Sequence, residues 1–173
     1  MKTLILLRHA DANSNNRYAE DHSKVLSRRG EQDVFEMALR LLELNIAPTS
    51  CLSSTATRTV STAKKIINTL NLSTDILKTD SRLYLATHSD VLKVIEEQEN
   101  SISELLVIGH NPGLTNLANH LLPSLYLEKL PTTGILAIQA NTQYWLEVSQ
   151  SKPSLLYYDY PHKEQGFPRE SDK

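Results

Sequence analysis

Short apolar runs alternate along the chain with longer stretches in which apolar residues recur every three or four positions. Residues 4–7, 51–52 and 105–108 are continuous apolar runs of a length suited to buried strands. Each is followed by a helical pattern: Val34, Ala38, Leu41 and Leu42; Val60, Ala63, Ile67 and Leu70; Leu114, Leu117, Ala118 and Leu121. This alternation predicts parallel strand-helix-strand units, each helix laying one face on a sheet. Start signals agree: Ser27 is placed to cap the first helix, Ser89 a short one through Glu97, and Pro112 suits a first helical turn. Residues 134–140 and 144–149 flank Asn141-Thr142-Gln143 and predict an antiparallel hairpin, so the sheet should be mixed. A further apolar-aromatic run covers 155–158. The polar residues 161–173 are expected to form a tail unable to bury enough surface to order itself. The expectation is a single α/β domain over residues 1–160, three-layered, with a mixed, mainly parallel sheet flanked by helices.

Composition narrows the classes of function. A chain of 173 residues with 40% apolar content can enclose one sizeable core and little more. The opening apolar run is too short for a signal peptide or a membrane span, so a cytoplasmic location and no membrane partner are expected. The single cysteine, Cys51, forms no internal disulfide and fits a reducing compartment as a structural residue. With 18 basic and 20 acidic residues and a formal charge of -2, no general attraction for nucleic acid is expected. An anionic substrate would have to be held by a local cluster.

The residues at the ends of the strand-like runs suggest such a cluster: Arg8-His9 after the first, Ser53-Ser54 with Arg58 after the second, and Gly109-His110-Asn111-Pro112 after the third. Open α/β sheets bind ligands at the carboxyl ends of their strands. If the three strands are neighbours, two guanidinium groups and two imidazoles share one crevice. Arginine forks match phosphate oxygens, and a neutral imidazole among arginines can attack phosphorus. Helix N-termini after Ser54 and Asn111 would add backbone donors. Each residue alone has a plainer reading. An isolated Arg-His pair is more often a strand-end contact, Arg58 a solvated residue on a first helical turn, and His110 a loop cap. Their joint placement is what favours chemistry. His22, His88, His120 and His162 read as surface or structural, and no metal-ligand spacing is present in the sequence.

These segments resemble the histidine phosphatase superfamily, which includes phosphoglycerate mutases and many phosphatases. Residues 4–10, Leu-Ile-Leu-Leu-Arg-His-Ala, are similar to its Arg-His-Gly signature; Ser54-Thr55-Ala56-Thr57-Arg58 with Ser61-Thr62-Ala63 to its Ser-Pro-x-x-Arg and Gln-Thr-Ala segments; and Gly109-His110-Asn111-Pro112-Gly113 to the segment carrying its second histidine. The resemblance implies a phosphoglycerate mutase-like fold, with His9 as nucleophile, Arg8 and Arg58 as phosphate clamps and His110 as a further catalytic and substrate-binding group, and no metal or cofactor. Residues 21–30 and Leu83-Tyr84-Leu85-Ala86 resemble the small SixA-type phosphohistidine phosphatases, which raises Asp21 to candidate general acid over the rivals Asp11, Glu20 and Asp90. Ala10, Thr55, Ser61 and Lys24-Val25 depart from the family's glycine, proline, glutamine and Arg-Pro. The implied activity is hydrolysis through a phosphohistidine intermediate, with a phosphorylated signalling protein of the histidine phosphotransfer type as preferred partner. A phosphatase of small phosphoesters, such as sugar or nucleotide phosphates, and a non-catalytic phosphate-binding scaffold remain alternatives.

Overall fold

The computed structural model describes residues 1–13 and 20–163. Its strands are β1 (Lys2–Arg8), β2 (Ser50–Ser53), β3 (Leu77–Thr79), β4 (Glu104–Gly109), β5 (Ile135–Ala140) and β6 (Ser154–Asp159); its helices are α1 (Arg28–Glu43), α2 (Thr57–Thr69), α3 (His88–Glu96) and α4 (Gly113–Leu121). The sheet order is β3-β2-β4-β1-β5-β6. The first four strands in that order pair in parallel, and β5 and β6 add antiparallel edges, so the sheet is mixed and mainly parallel.

Alternation along the strands builds the three layers, because successive side chains point to opposite faces. Leu4 and Leu6 of β1, Leu105 and Val107 of β4, and Leu136 and Ile138 of β5 pack with Val91, Val94 and Ile95 of α3 and Leu114, Leu117 and Leu121 of α4. The intervening residues Ile5, Leu7, Leu106, Ile108, Ile135 and Ala137 pack with Val34, Met37 and Leu41 of α1 and Ala63, Ile66 and Ile67 of α2. Both faces being covered explains why the parallel strands read as unbroken apolar runs.

Several local expectations hold. The Ser27 side chain accepts from Gly30 N at the start of α1. Pro112 directly precedes α4, and its carbonyl accepts from Asn116 N. Buried Cys51 is part of β2, and burial pushes its thiol up to about 12, so it is inert. Other expectations fail for identifiable reasons. Residues 144–149 are no strand: Trp145–Glu147 is a single 3-10 turn, in which Trp145 is buried and donates to Ile102 O. The strand partner of β5 is β6, formed by the apolar-aromatic run. Thr87, not Ser89, caps α3, because Asp90 answers it with a reciprocal capping box. Leu42 lies on the exposed side of α1, 50% accessible, despite its helical spacing. The short strand β3 has a Leu-Lys-Thr sequence too brief to carry a strand pattern. Of the expected tail, residues 164–173 lie outside the described residues. Pro161 is buried and His162 meets buried Asp33 (3.1 Å), so the packed structure extends past residue 160. Among the described residues no helix is long and apolar enough to cross a membrane.

Two glycines set how closely helices approach the loops around the strand ends. A Cβ on Gly30 would stand 2.2 Å from Asp11 O, and one on Gly113 would stand 2.2 Å from Ala86 O. In both cases the obstacle is backbone, which yields less readily than a side chain. Gly30→Ala and Gly113→Ala are each expected to destabilise the fold by about 1–3 kcal/mol through overpacking, read as a lower denaturation midpoint at unchanged slope. An unchanged midpoint would contradict the close approach.

Candidate active site

Sheet register brings the three polar strand exits together. Arg8 is opposite Gly109 across the β1–β4 pair, and Ser53 is opposite Ile108 across β2–β4. His9, Ser54 and His110 therefore emerge side by side at the carboxyl ends of three adjacent parallel strands, the location at which such sheets bind ligands. Arg58 reaches the same place from the first turn of α2. Thr62, one turn later, accepts from Ala10 N (3.1 Å) and donates to Arg58 O (2.7 Å), tying the end of β1 to the helix carrying the arginine.

The His9 ring has a defined tautomer. Its Nδ1 is 2.8 Å from Ala10 O, an atom that can only accept, so Nδ1 carries the proton. Nε2 then presents a lone pair, which accepts from Arg58 Nε at 3.3 Å. Burial, with the charges of Arg58 and Arg8 adding to it, pushes the His9 pKa down from 6.5 to about 4 against the opposing bond to Ala10 O. The ring is neutral at physiological pH. His110, with its ring centroid 5.1 Å from that of His9, is buried and pushed down to about 3, chiefly by burial and then by the charges around it. Its Nδ1 faces Arg58 Nη2 at 3.4 Å and its Nε2 faces buried Ser54 Oγ at 2.9 Å. Because arginine only donates, Nδ1 accepts and Nε2 carries the proton toward Ser54.

Arg58 is the hub. Besides the two imidazoles, its Nη1 donates to the backbone carbonyl of Asp21 and its Nη2 to Asp21 Oδ2 at 2.9 Å. Arg8 is held differently: Nη1 donates to Leu130 O (3.0 Å), while its buried Nε has no hydrogen-bond partner among the described residues. A buried arginine donor without a partner beside a neutral imidazole suits an oxyanion. Arg8, His9, Asp11, Ala12, Asp21, Lys24, Arg58 and Thr132 line a cleft of about 240 Å³. Among the described residues, no group of three or more histidines, cysteines or carboxylates is placed to hold a metal ion.

Asp21 lies in the site, in a 3-10 turn spanning Asp21–Ser23. Its carboxylate accepts from Tyr84 Oη (2.8 Å), Arg58 Nη2 (2.9 Å) and Lys24 Nζ (3.2 Å), and these bonds hold its pKa well below the usual carboxylate range. In this arrangement it is ionised and has no proton to donate. Of its rivals, Asp11 lines the cleft and accepts from Ser27 Oγ at 2.6 Å, Asp90 completes the capping box of α3, and the Glu20 backbone carbonyl accepts from Ser23 N and Oγ at the turn. Residues 14–19, in the connection between β1 and this turn, lie outside the described residues.

Three neighbours of the site are not among the site residues expected from the sequence. Tyr84 bonds to Asp21 and stands edge-on to His110, with ring centroids 5.4 Å apart. Ser54 fixes the His110 ring. His22, a surface residue by sequence pattern, faces Thr55 Oγ1 at 3.0 Å and stands edge-on to Tyr84 at 4.9 Å. The Leu-Tyr-x-Ala stretch is the signal available for Tyr84. His22 carries none, because its partners are 33 and 62 residues away in sequence.

Residues 4–83 match the family model described as histidine phosphatase superfamily, branch 1. The chain is 30% identical over 154 residues to an uncharacterised chloroplast protein of Arabidopsis thaliana, covering 84% of this chain and 70% of that one. Among solved structures, a Nakamurella multipartitia protein described as a phosphohistidine phosphatase SixA is similar at 21% identity with a TM-score of 0.77, covering 94% of this chain and 97% of its own. The protein histidine phosphatase SixA complexed with tungstate is similar at 20% identity with a TM-score of 0.78, covering 92% of this chain and 97% of its own. At these identities the structural likeness is one of fold.

Proposed function

Because the chain belongs to the histidine phosphatase superfamily, we propose that it hydrolyses phosphorylated substrates through a phosphoryl group carried transiently on His9 Nε2. The observation that carries this reading is the His9 tautomer: Nδ1 is committed to Ala10 O, and the Nε2 lone pair faces the cleft edge formed by Arg58. An imidazole kept neutral down to about pH 4 is available as a nucleophile throughout the physiological range.

In the first step a bond forms between His9 Nε2 and phosphorus while the bond from phosphorus to the leaving atom breaks, the electron pair departing with that atom. Arg8 and Arg58 neutralise the charge spread over the equatorial oxygens, with His110 contributing at their side. An arriving dianion competes with the Asp21 carboxylate for Arg58. Losing that partner and gaining a negative neighbour both raise the proton affinity of Asp21, and this is how it would take up from solvent the proton it passes to the leaving atom. Water then cleaves the N–P bond, releasing phosphate and restoring His9.

The preferred substrate in this reading is phosphohistidine on a signalling or phosphotransfer protein. An imidazole leaving group makes small demands on a general acid, which suits an Asp21 that is ionised before substrate binds. The connections bordering the site after β2 and β4 are three residues each, 54–56 and 110–112, too short to enclose a small molecule. The related fold that holds tungstate, a tetrahedral oxyanion, supports a phosphate-sized site. A cytoplasmic location would give access to such proteins. The test compares kcat/KM on a phosphohistidine-bearing phosphotransfer protein with a panel of sugar and nucleotide phosphates. The protein substrate should be preferred. Turnover confined to the small esters would overturn the substrate class, and no turnover of any donor would leave a phosphate-binding scaffold.

The lowered pKa of His9 also sets a pH dependence. Above pH 6.5 the ring is neutral in both folded and unfolded chains. Between 6.5 and about 4 only the unfolded chain takes up the proton, so stability falls as pH falls across that window. At about 1.4 kcal/mol per pKa unit this amounts to roughly 3 kcal/mol, which a His9→Asn variant should not lose. Phosphoenzyme formation in the wild type should accordingly persist to about pH 4. An acid limb near pH 6.5 with equal acid sensitivity in both proteins would contradict the neutral, half-buried ring.

A further inference from the structure

The geometry points to Asn111 and Thr115 as positioning residues that fix the Arg8 guanidinium through the carbonyl of Leu130. The inference rests on the reading of Arg8 as a phosphate clamp. Leu130 O accepts from two donors, Arg8 Nη1 at 3.0 Å and Asn111 Nδ2 at 2.8 Å. Asn111 Oδ1 accepts from Thr115 Oγ1 at 2.8 Å, and Thr115 Oγ1 in turn accepts from Leu130 N at 3.0 Å. The ring of contacts admits one arrangement of protons. The threonine has a single hydrogen, which goes to Asn111 Oδ1, so a lone pair remains for Leu130 N; reversing the amide would set Asn111 Oδ1 against Leu130 O, two acceptors in contact. Thus both backbone polar groups of Leu130, a residue that is fully buried, are taken by side chains at and just before α4.

The rest of the segment is fixed in the same manner. Asn119, one turn beyond Thr115 on α4, exchanges two bonds with Leu127, at 2.8 and 2.9 Å. Thr133 N donates to Arg8 O at 3.1 Å, and Arg8 N donates to Gly134 O at 3.1 Å. Segment 127–134 is thereby fastened to α4 at one end and to β1 at the other, with Arg8 between them. Holding Nη1 on Leu130 O leaves the buried, unpartnered Nε for an anion. Neither Asn111 nor Thr115 needs to touch the transferred group. Their effect is to stop the Arg8 plane from turning, and small misplacements of a clamping group are costly.

The test measures the affinity of the full chain for orthovanadate by calorimetry in a double-mutant cycle of Thr115→Val and Arg8→Ala, with melting temperatures recorded for each protein. Thr115→Val keeps the shape and removes the hydroxyl. It should weaken vanadate binding about tenfold in the wild-type background and have no further effect when Arg8 is alanine. Thr115→Ser, which restores the hydroxyl, should recover wild-type affinity. If Thr115→Val lowers the folded fraction, Asn111→Ala, which removes the donor to Leu130 O, is read in the same cycle. Unchanged affinity in Thr115→Val and Asn111→Ala while Arg8→Ala weakens binding would overturn the positioning role alone. So would full additivity of the two losses. Unchanged affinity in Arg8→Ala would overturn the clamp reading beneath it.

Discussion

A His9→Ala chain is expected to fold like the wild type and to lose phosphoryl transfer by at least about 10⁴-fold. The size reflects what is removed. In the proposed mechanism the other groups bind and neutralise an anion, whereas His9 lines the cleft and presents its Nε2 lone pair there, beside Arg58. His110 cannot replace it, because it is buried behind the residues that line the cleft, with one ring nitrogen on Arg58 Nη2 and the other on Ser54 Oγ. A merely electrostatic role for His9 would cost far less, since the neutral ring contributes no charge. The loss should fall on kcat, with phosphate or vanadate affinity changed by less than about tenfold. Retention of turnover within about tenfold of wild type would show that the nucleophile lies elsewhere.

Arg58→Ala is expected to lower kcat/KM by about 10³-fold, corresponding to about 4 kcal/mol of transition-state stabilisation. One guanidinium contacts His9, His110 and Asp21, so its removal takes away a clamp and also frees the Asp21 carboxylate. Arg58→Lys should recover only part of the loss, because a single ammonium cannot serve Nε and Nη positions together. The chemical step should suffer more than folding: Arg58 lies outside both apolar clusters, although losing its bonds to Asp21, His9 and His110 will cost some stability. If the alanine variant unfolds while its folded fraction keeps full specific activity, Arg58 is structural.

The fold is largely legible in the sequence because its signals are local. Apolar runs at residues 4–7 and 105–108 mark strands covered on both faces, and three-to-four spacing marks the longer helices. Strand order is non-local and has no such signal, yet the site depends on it: β2, β4 and β1 must be neighbours for positions 9, 58 and 110 to meet. Where local pattern misleads, tertiary packing decides. Apolar residues 144–149 resemble a strand, but burial of Trp145 against Lys2 and Ile102 O closes them into a turn. Leu42 has core spacing on the solvent side of α1.

In the site, the four residues with distinctive sequence surroundings can be found from sequence. The bonds that orient them cannot. Ser54 and Thr115 act through hydroxyl bonds available to any serine or threonine, and Leu130 acts through its backbone carbonyl, for which side-chain identity carries no signal. Resemblance places Asp21 in the site, but its ionised state depends on Tyr84, 63 positions away. Proton affinity set by such long-range partners is not written in local sequence.

The most direct measurement is the chemical position of the phosphoryl group in the trapped phosphoenzyme, by phosphorus-proton correlation NMR on the denatured, base-stable adduct. Phosphate bonded to Nε2 of His9 is the predicted result, because Nδ1 is occupied by Ala10 O. Phosphate on Nδ1 of His9, or on His110, would contradict the proposed chemistry.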